Sequence, residues 1–135
     1  MTNPVIHFTY RTASFDLGLT WLADLPVRNI RKLFKLMLAE PDNNMEAIQT
    51  TAAFLSEIVA DCEASNKAAS AAYKSGWRYV ANKRSCKVAD RKIMRENNRL
   101  TKEATQAKKQ FEGWKKIQSI WGELKSKMKI QEGDY

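Results

Sequence analysis

His7 is the only imidazole in the chain, and "VIHFTY" around it offers no serine or cysteine nucleophile. Acyl transfer needs a nucleophile, a base and an orienting group within reach of one another, so His7 reads as a structural or solvated residue. Glu57, Asp61 and Glu63 can gather on one helix, but without histidine or cysteine companions three acids read as a solvated face. Cys62 and Cys86 lie far apart in sequence and lack the spacing of a zinc site. No glycine-rich phosphate loop occurs. The expectation is a non-enzyme, with no catalytic residue, no metal and no cofactor.

The stretch "YKSGWRYVANKRSCKVADRKIMR" carries the other chemistry available, the capture of anions. It holds eight Lys or Arg and one acid, Asp90. Trp77 and Tyr79 flank Arg78, and aromatic rings beside cations suit the stacking of an unpaired base. Lys83, Arg84 and Lys87 follow. Further on, Arg95, Lys102, Lys109 and Lys116 recur every seventh residue, with Arg91 and Arg99 beside them. On a helix such a row can hold phosphates without reading bases. Any solvated helix needs charge on its outer face, but ordinary outer faces mix signs, and this one has few acids. Cys86, next to Arg84 and Lys87, has a setting that lowers a thiol pKa, although an incidental thiol is the plainer reading.

Net charge points the same way. The chain carries +8, but residues 1–66 hold five bases against eight acids and residues 67–135 hold eighteen against seven. A basic half of this kind suits an anionic partner: nucleic acid first, an acidic protein surface second.

These side chains need a rigid frame, and the hydrophobic pattern supplies one. Met45, Ala52, Val59, Asn66, Tyr73 and Val80 are spaced by sevens and interleave with Ile48, Leu55, Cys62 and Ala69. A second series runs Ile93, Leu100, Ala107, Trp114, Trp121 and Met128, with companions Ala104, Phe111, Ile117 and Leu124. Two seams of this kind, joined by a short polar turn, predict two helices folded back on each other. A turn centred near Lys83 would pair Leu55 with Phe111, Cys62 with Ala104 and Tyr73 with Ile93. Each arm would have about 35–45 residues and a length of about 55–65 Å. Asn43 or Asn44 can cap the first helix and Ser85 the second. In this scheme Asn66 is the polar seam residue that fixes register, and Cys62 is a small core residue.

Beyond the seam, Phe54, Ile58, Ile117, Ile120 and Leu124 leave apolar surface that needs cover, and the N-terminal segment is available to supply it. Ser14 can cap a short helix reaching Leu25, and Pro26 suits the first turn of a helix running to Pro41. Ile6, Phe8 and Tyr10 alternate like a strand that has no partner within the chain. It would pack on helices as an arm or pair with a second copy. The basic amphipathic segment "AKKQFEGWKKIQSIWGELKSKMKI" resembles membrane-surface helices in pattern, but its apolar side continues the seam and reads as core.

The expected fold is therefore all-α: an N-terminal arm with short helices over 1–42 and a long helical hairpin over 43–135, its basic tip near 74–95. Two cysteines and no signal-like opening suggest the cytoplasm, and no stretch is long and apolar enough to span a membrane. The expected function is non-enzymatic binding of nucleic acid without strong sequence specificity, as a monomer or homo-oligomer. The alternative is a protein-interaction module, an assembly factor or inhibitor of the kind found among viral and mobile-element accessory proteins.

Overall fold

The computed structural model describes residues 3–82 and 90–128, with backbone alone for 78–82 and 90. It begins with an antiparallel hairpin of β1 (Val5–Tyr10) and β2 (Ala13–Gly18), then a 3-10 helix over Leu19–Asp24. Three helices follow: α1 (Val27–Ala39), α2 (Met45–Asn82) and α3 (Asp90–Lys127). The fold is mostly helical but not all-α, and the hairpin is the correction. The strand Val5–Tyr10 has its partner in Ala13–Gly18, where the sequence suggests a short helix capped by Ser14. Ile6 faces Leu17 and Phe8 faces Phe15, so the alternation of Phe15 and Leu17 with Ser14 and Asp16 serves a strand.

Tyr10 pairs with Ala13 across a loop of Arg11 and Thr12, and Arg11 takes a φ of 57°. Positive φ at the first loop residue alone is the pattern of a type II′ turn, which usually carries glycine there. The Arg11 N–H donates to Glu40 Oε2 at 2.5 Å, and its guanidinium lies over the Tyr10 ring. On the exposed side His7 Nδ1 meets the Asp16 carboxylate directly across the strands.

Pro26 takes the N-cap position of α1, just ahead of the first turn. Ile30, Phe34, Met37 and Leu38 form the buried stripe of α1, at helical spacing. Asn44 stands where α2 begins, and its carbonyl accepts the first helical bond, from the Ile48 N–H. Its side chain does something other than cap. Only 2% exposed, it accepts from the Thr9 N–H at 2.8 Å and donates to the Thr9 carbonyl at 2.8 Å and the Met37 carbonyl at 2.9 Å. In a two-residue hairpin the closing pair is hydrogen-bonded and the next is not, so Thr9 turns both backbone groups to the sheet edge. Asn44 satisfies them as a neighbouring strand would.

α2 packs against α3 as a hairpin, each helix 38 residues long, or about 57 Å. No helix among the described residues is long and apolar enough to cross a membrane. The chain divides into two compact units, residues 60–112 forming one and the remainder the other. In the latter, Phe54, Ile58, Ile117, Ile120 and Leu124 are all buried, so the apolar surplus beyond the seam is covered as expected. Phe34 of α1 meets Trp121 edge-on at 4.9 Å, and Phe54 meets Trp114 at 5.6 Å.

Within 60–112 the register differs from the expected one. The Cα of Gly76 lies against Asn97, and Ser70 and Tyr73 share a groove with Thr101 and Ala104. The sequence midpoint of Gly76 and Asn97 falls between residues 86 and 87, beyond Lys83. Each partner has thus moved by about one heptad. Ile93 lies beside Ser75 and Gly76 instead of facing Tyr73, and Ala104 faces Ser70 instead of Cys62. A seven-residue slip returns seam residues to the seam, so periodicity alone does not distinguish the two alignments.

Candidate nucleic-acid interface

The unit formed by residues 60–112 contains 13 Lys and Arg against 6 Asp and Glu, and the rest of the chain contains 10 against 9. Nearly all the excess positive charge therefore belongs to one unit, at net +7 of the total +8.

A polar lock joins the two helices of this unit. Asn97 is 3% exposed and its Nδ2 donates to the Gly76 carbonyl at 3.2 Å. One residue on, the Trp77 indole Nε1 donates to Thr101 Oγ1 at 3.1 Å, and Thr101 in turn donates to the Asn97 carbonyl at 2.8 Å. A buried amide is stable only when paired, and here that pairing is possible because residue 76 has no Cβ. A Cβ there would overlap Asn97 Oδ1. Asn97, not Asn66, is the buried seam asparagine. Asn66 is half-buried at the side of a groove. Cys62 is half-buried as well, and its thiol pKa is pushed up by burial and then by Asp61.

This rigid pair presents the cations of α3. Arg91, Arg95, Arg99, Lys102 and Lys109 are all exposed. At about 100° per residue, Arg91, Arg95, Lys102 and Lys109 fall within about 40° of one another, over about 27 Å of helix. None of these four makes an ion pair with a described residue. Arg99 differs. Its Nη1 lies 2.6 Å from Glu103 and its Nη2 contacts Glu96. The hydrogen bond from Arg99 holds the Glu96 carboxyl below the ordinary carboxylate range, and the same bond stabilises the charged guanidinium. Arg99 is thus committed to a local cluster with an excess of one negative charge, on one flank of the row. Lys116 is exposed too but belongs to the other unit.

The aromatic part of the expected site is arranged differently. Trp77 is half-buried and edge-on to Tyr73, and its indole N–H is spent on Thr101. It fastens α2 to α3. Arg78 and Tyr79 lie on α2, and their side chains fall outside the described residues, as do Lys83, Arg84, Lys87, Ser85 and Cys86 altogether. Beside the row, on the flank away from Glu96 and Glu103, a groove of about 230 Å³ opens between the helices. Asn66, Ser70 and Tyr73 line it from α2, and Thr101, Thr105 and Lys108 from α3. Sequence reasoning missed this groove. Asn66, Ser70, Tyr73 and Trp77 do recur at helical spacing, but only the heptad alignment decides what they face.

Comparison with protein-family models, curated proteins and solved structures finds no match to this chain.

Proposed function

We propose that residues 60–112 bind the phosphate backbone of a nucleic acid, without catalysis and without strong sequence specificity. One observation carries the reading: four exposed cations, Arg91, Arg95, Lys102 and Lys109, form one row on a helix whose unit holds net +7. Glu96 and Glu103 pair with Arg99 on the flank, and none of the four cations makes an ion pair with a described residue. Phosphates meeting such a row displace condensed counterions, which supplies affinity that does not depend on base identity. The part-buried Asn97–Gly76 and Trp77–Thr101 hydrogen bonds hold the helix pair that presents the row.

The mixed-sign cluster of Glu96, Arg99 and Glu103 favours a second reading, docking on an acidic protein surface, because patterned charge fixes register between proteins. The two readings separate in one experiment. Purified chain is titrated with nucleic acid at rising salt, beside a variant carrying Arg91→Glu, Arg95→Glu, Lys102→Glu and Lys109→Glu. Binding that weakens with salt and vanishes in the variant supports the backbone reading. A purified chain that binds no nucleic acid leaves the protein surface as the partner.

A further inference from the structure

The groove beside the cationic row contains chemistry that phosphate binding alone does not use. Tyr73 is 37% exposed; its contact with Trp77 is edge-on, with ring centroids 6.5 Å apart. Asn66 and Ser70 stand on the same face of α2 as Tyr73, at four-residue and three-residue steps. Opposite, Thr105 spends its hydroxyl proton on the Thr101 carbonyl at 2.9 Å, which leaves its oxygen as an acceptor. Lys108 is exposed, makes no ion pair with a described residue, and adds a cation at the same groove.

Around α3 the polar groove residues Thr101, Thr105 and Lys108 lie about 80–140° from Arg95, on the side opposite Glu96 and Glu103. A chain held on the row therefore meets Glu96 and Glu103 on one side and a hydrogen-bonding groove on the other, with Glu112 one turn beyond Lys108 on the groove side. At about 230 Å³ the groove is smaller than the pockets of about 300–1,000 Å³ that enclose drug-sized ligands. It has room for one ring system.

Resting on the backbone-binding reading, we infer that this groove takes a single unpaired nucleotide, so that the partner is a single strand. The base lies against the Tyr73 ring, its edge reaches Asn66 and Ser70, and Lys108 meets the adjoining phosphate. Stacking on an aromatic ring tolerates any base, whereas a paired base inside a duplex cannot turn its face into a side groove. Single strands should therefore bind more tightly than duplex of equal length.

The test is fluorescence anisotropy on the full chain at about 0.15 M salt, using labelled oligothymidylate and a duplex of the same length. Two variants are compared with the parent: Tyr73→Ala, which removes the ring, and Ser70→Leu, which fills the groove and leaves the ring in place. Far-UV circular dichroism confirms that each remains folded. One stacked base is worth about 1–3 kcal/mol, so single-strand affinity should fall about 5- to 150-fold. Duplex affinity should stay within about twofold of the parent. If both folded variants keep the parent's single-strand affinity, or lose single-strand and duplex affinity equally, the groove assignment is overturned and the cationic row stands. If the parent binds neither probe, both fall.

Discussion

Gly76 is a glycine inside a helix, where replacement by alanine ordinarily stabilises by about 1 kcal/mol. Here we expect the opposite sign. The new Cβ would overlap Asn97 Oδ1 and lie 3.1 Å from Leu100 Cδ1. Asn97 must then swing away, breaking its bond to the Gly76 carbonyl and leaving a buried amide short of a partner, at a cost of about 1–3 kcal/mol. That cost exceeds the gain in helix propensity, and Gly76→Ala should destabilise by about 1 kcal/mol. Asn97→Ala alone should also cost about 1 kcal/mol, through the lost hydrogen bond and the space left behind. In the double variant the methyl group added at position 76 occupies room that the amide vacated, and both helices gain propensity. It should be at least as stable as the parent, a coupling of about 2 kcal/mol between the two sites. Urea unfolding of the four proteins, followed by far-UV circular dichroism, measures the cycle. A Gly76→Ala protein more stable than the parent, with coupling near zero, would refute the close approach of the helices.

Two further outcomes test the frame. Asn44→Ala strands the Thr9 N–H, the Thr9 carbonyl and the Met37 carbonyl, so it should cost about 3 kcal/mol in thermal unfolding and speed amide exchange at Thr9; a loss under about 0.5 kcal/mol would mean that Asn44 does not hold the strand. In a Cys62→Ala, Cys86→Ala background, the pair Ser70→Cys and Ala104→Cys should crosslink within one chain, because both residues line one groove. In a Cys86→Ala background that keeps Cys62, crosslinking of Cys62 with Ala104→Cys would restore the alignment centred near Lys83.

The two long helices were legible because heptads over Met45–Val80 and Ile93–Met128 repeat for about ten turns, far longer than chance periodicity survives. The cover over Phe54, Ile58, Ile117, Ile120 and Leu124 was legible from the same pattern. Alignment of one helix on the other was not, since a slip of seven residues returns every seam residue to the seam. What decides it are single contacts, Asn97 on Gly76 and Trp77 on Thr101, and Asn97 lies in the polar run "RENNRL", which hides its seam position. The hairpin was missed because Arg11 occupies a turn position that glycine normally marks. Asn44 looked like a cap and sits where a cap belongs, but its amide is turned to Thr9. Of the candidate site, the spacing of Arg91, Arg95, Lys102 and Lys109 on one face was readable from sequence. The commitment of Arg99 to Glu96 and Glu103 follows from side-chain geometry, which spacing leaves open.

The salt dependence of nucleic-acid binding tests the central claim most directly. Four neutralised phosphates on a single strand predict a slope of about −3 in log affinity against log salt, or steeper if other cations join. Affinity would then fall about 50-fold between about 50 and 200 mM salt. The variant with Arg91, Arg95, Lys102 and Lys109 reversed to glutamate should show no measurable binding while keeping its helicity. A slope near zero, or a reversed variant that binds as tightly as the parent, would contradict the account.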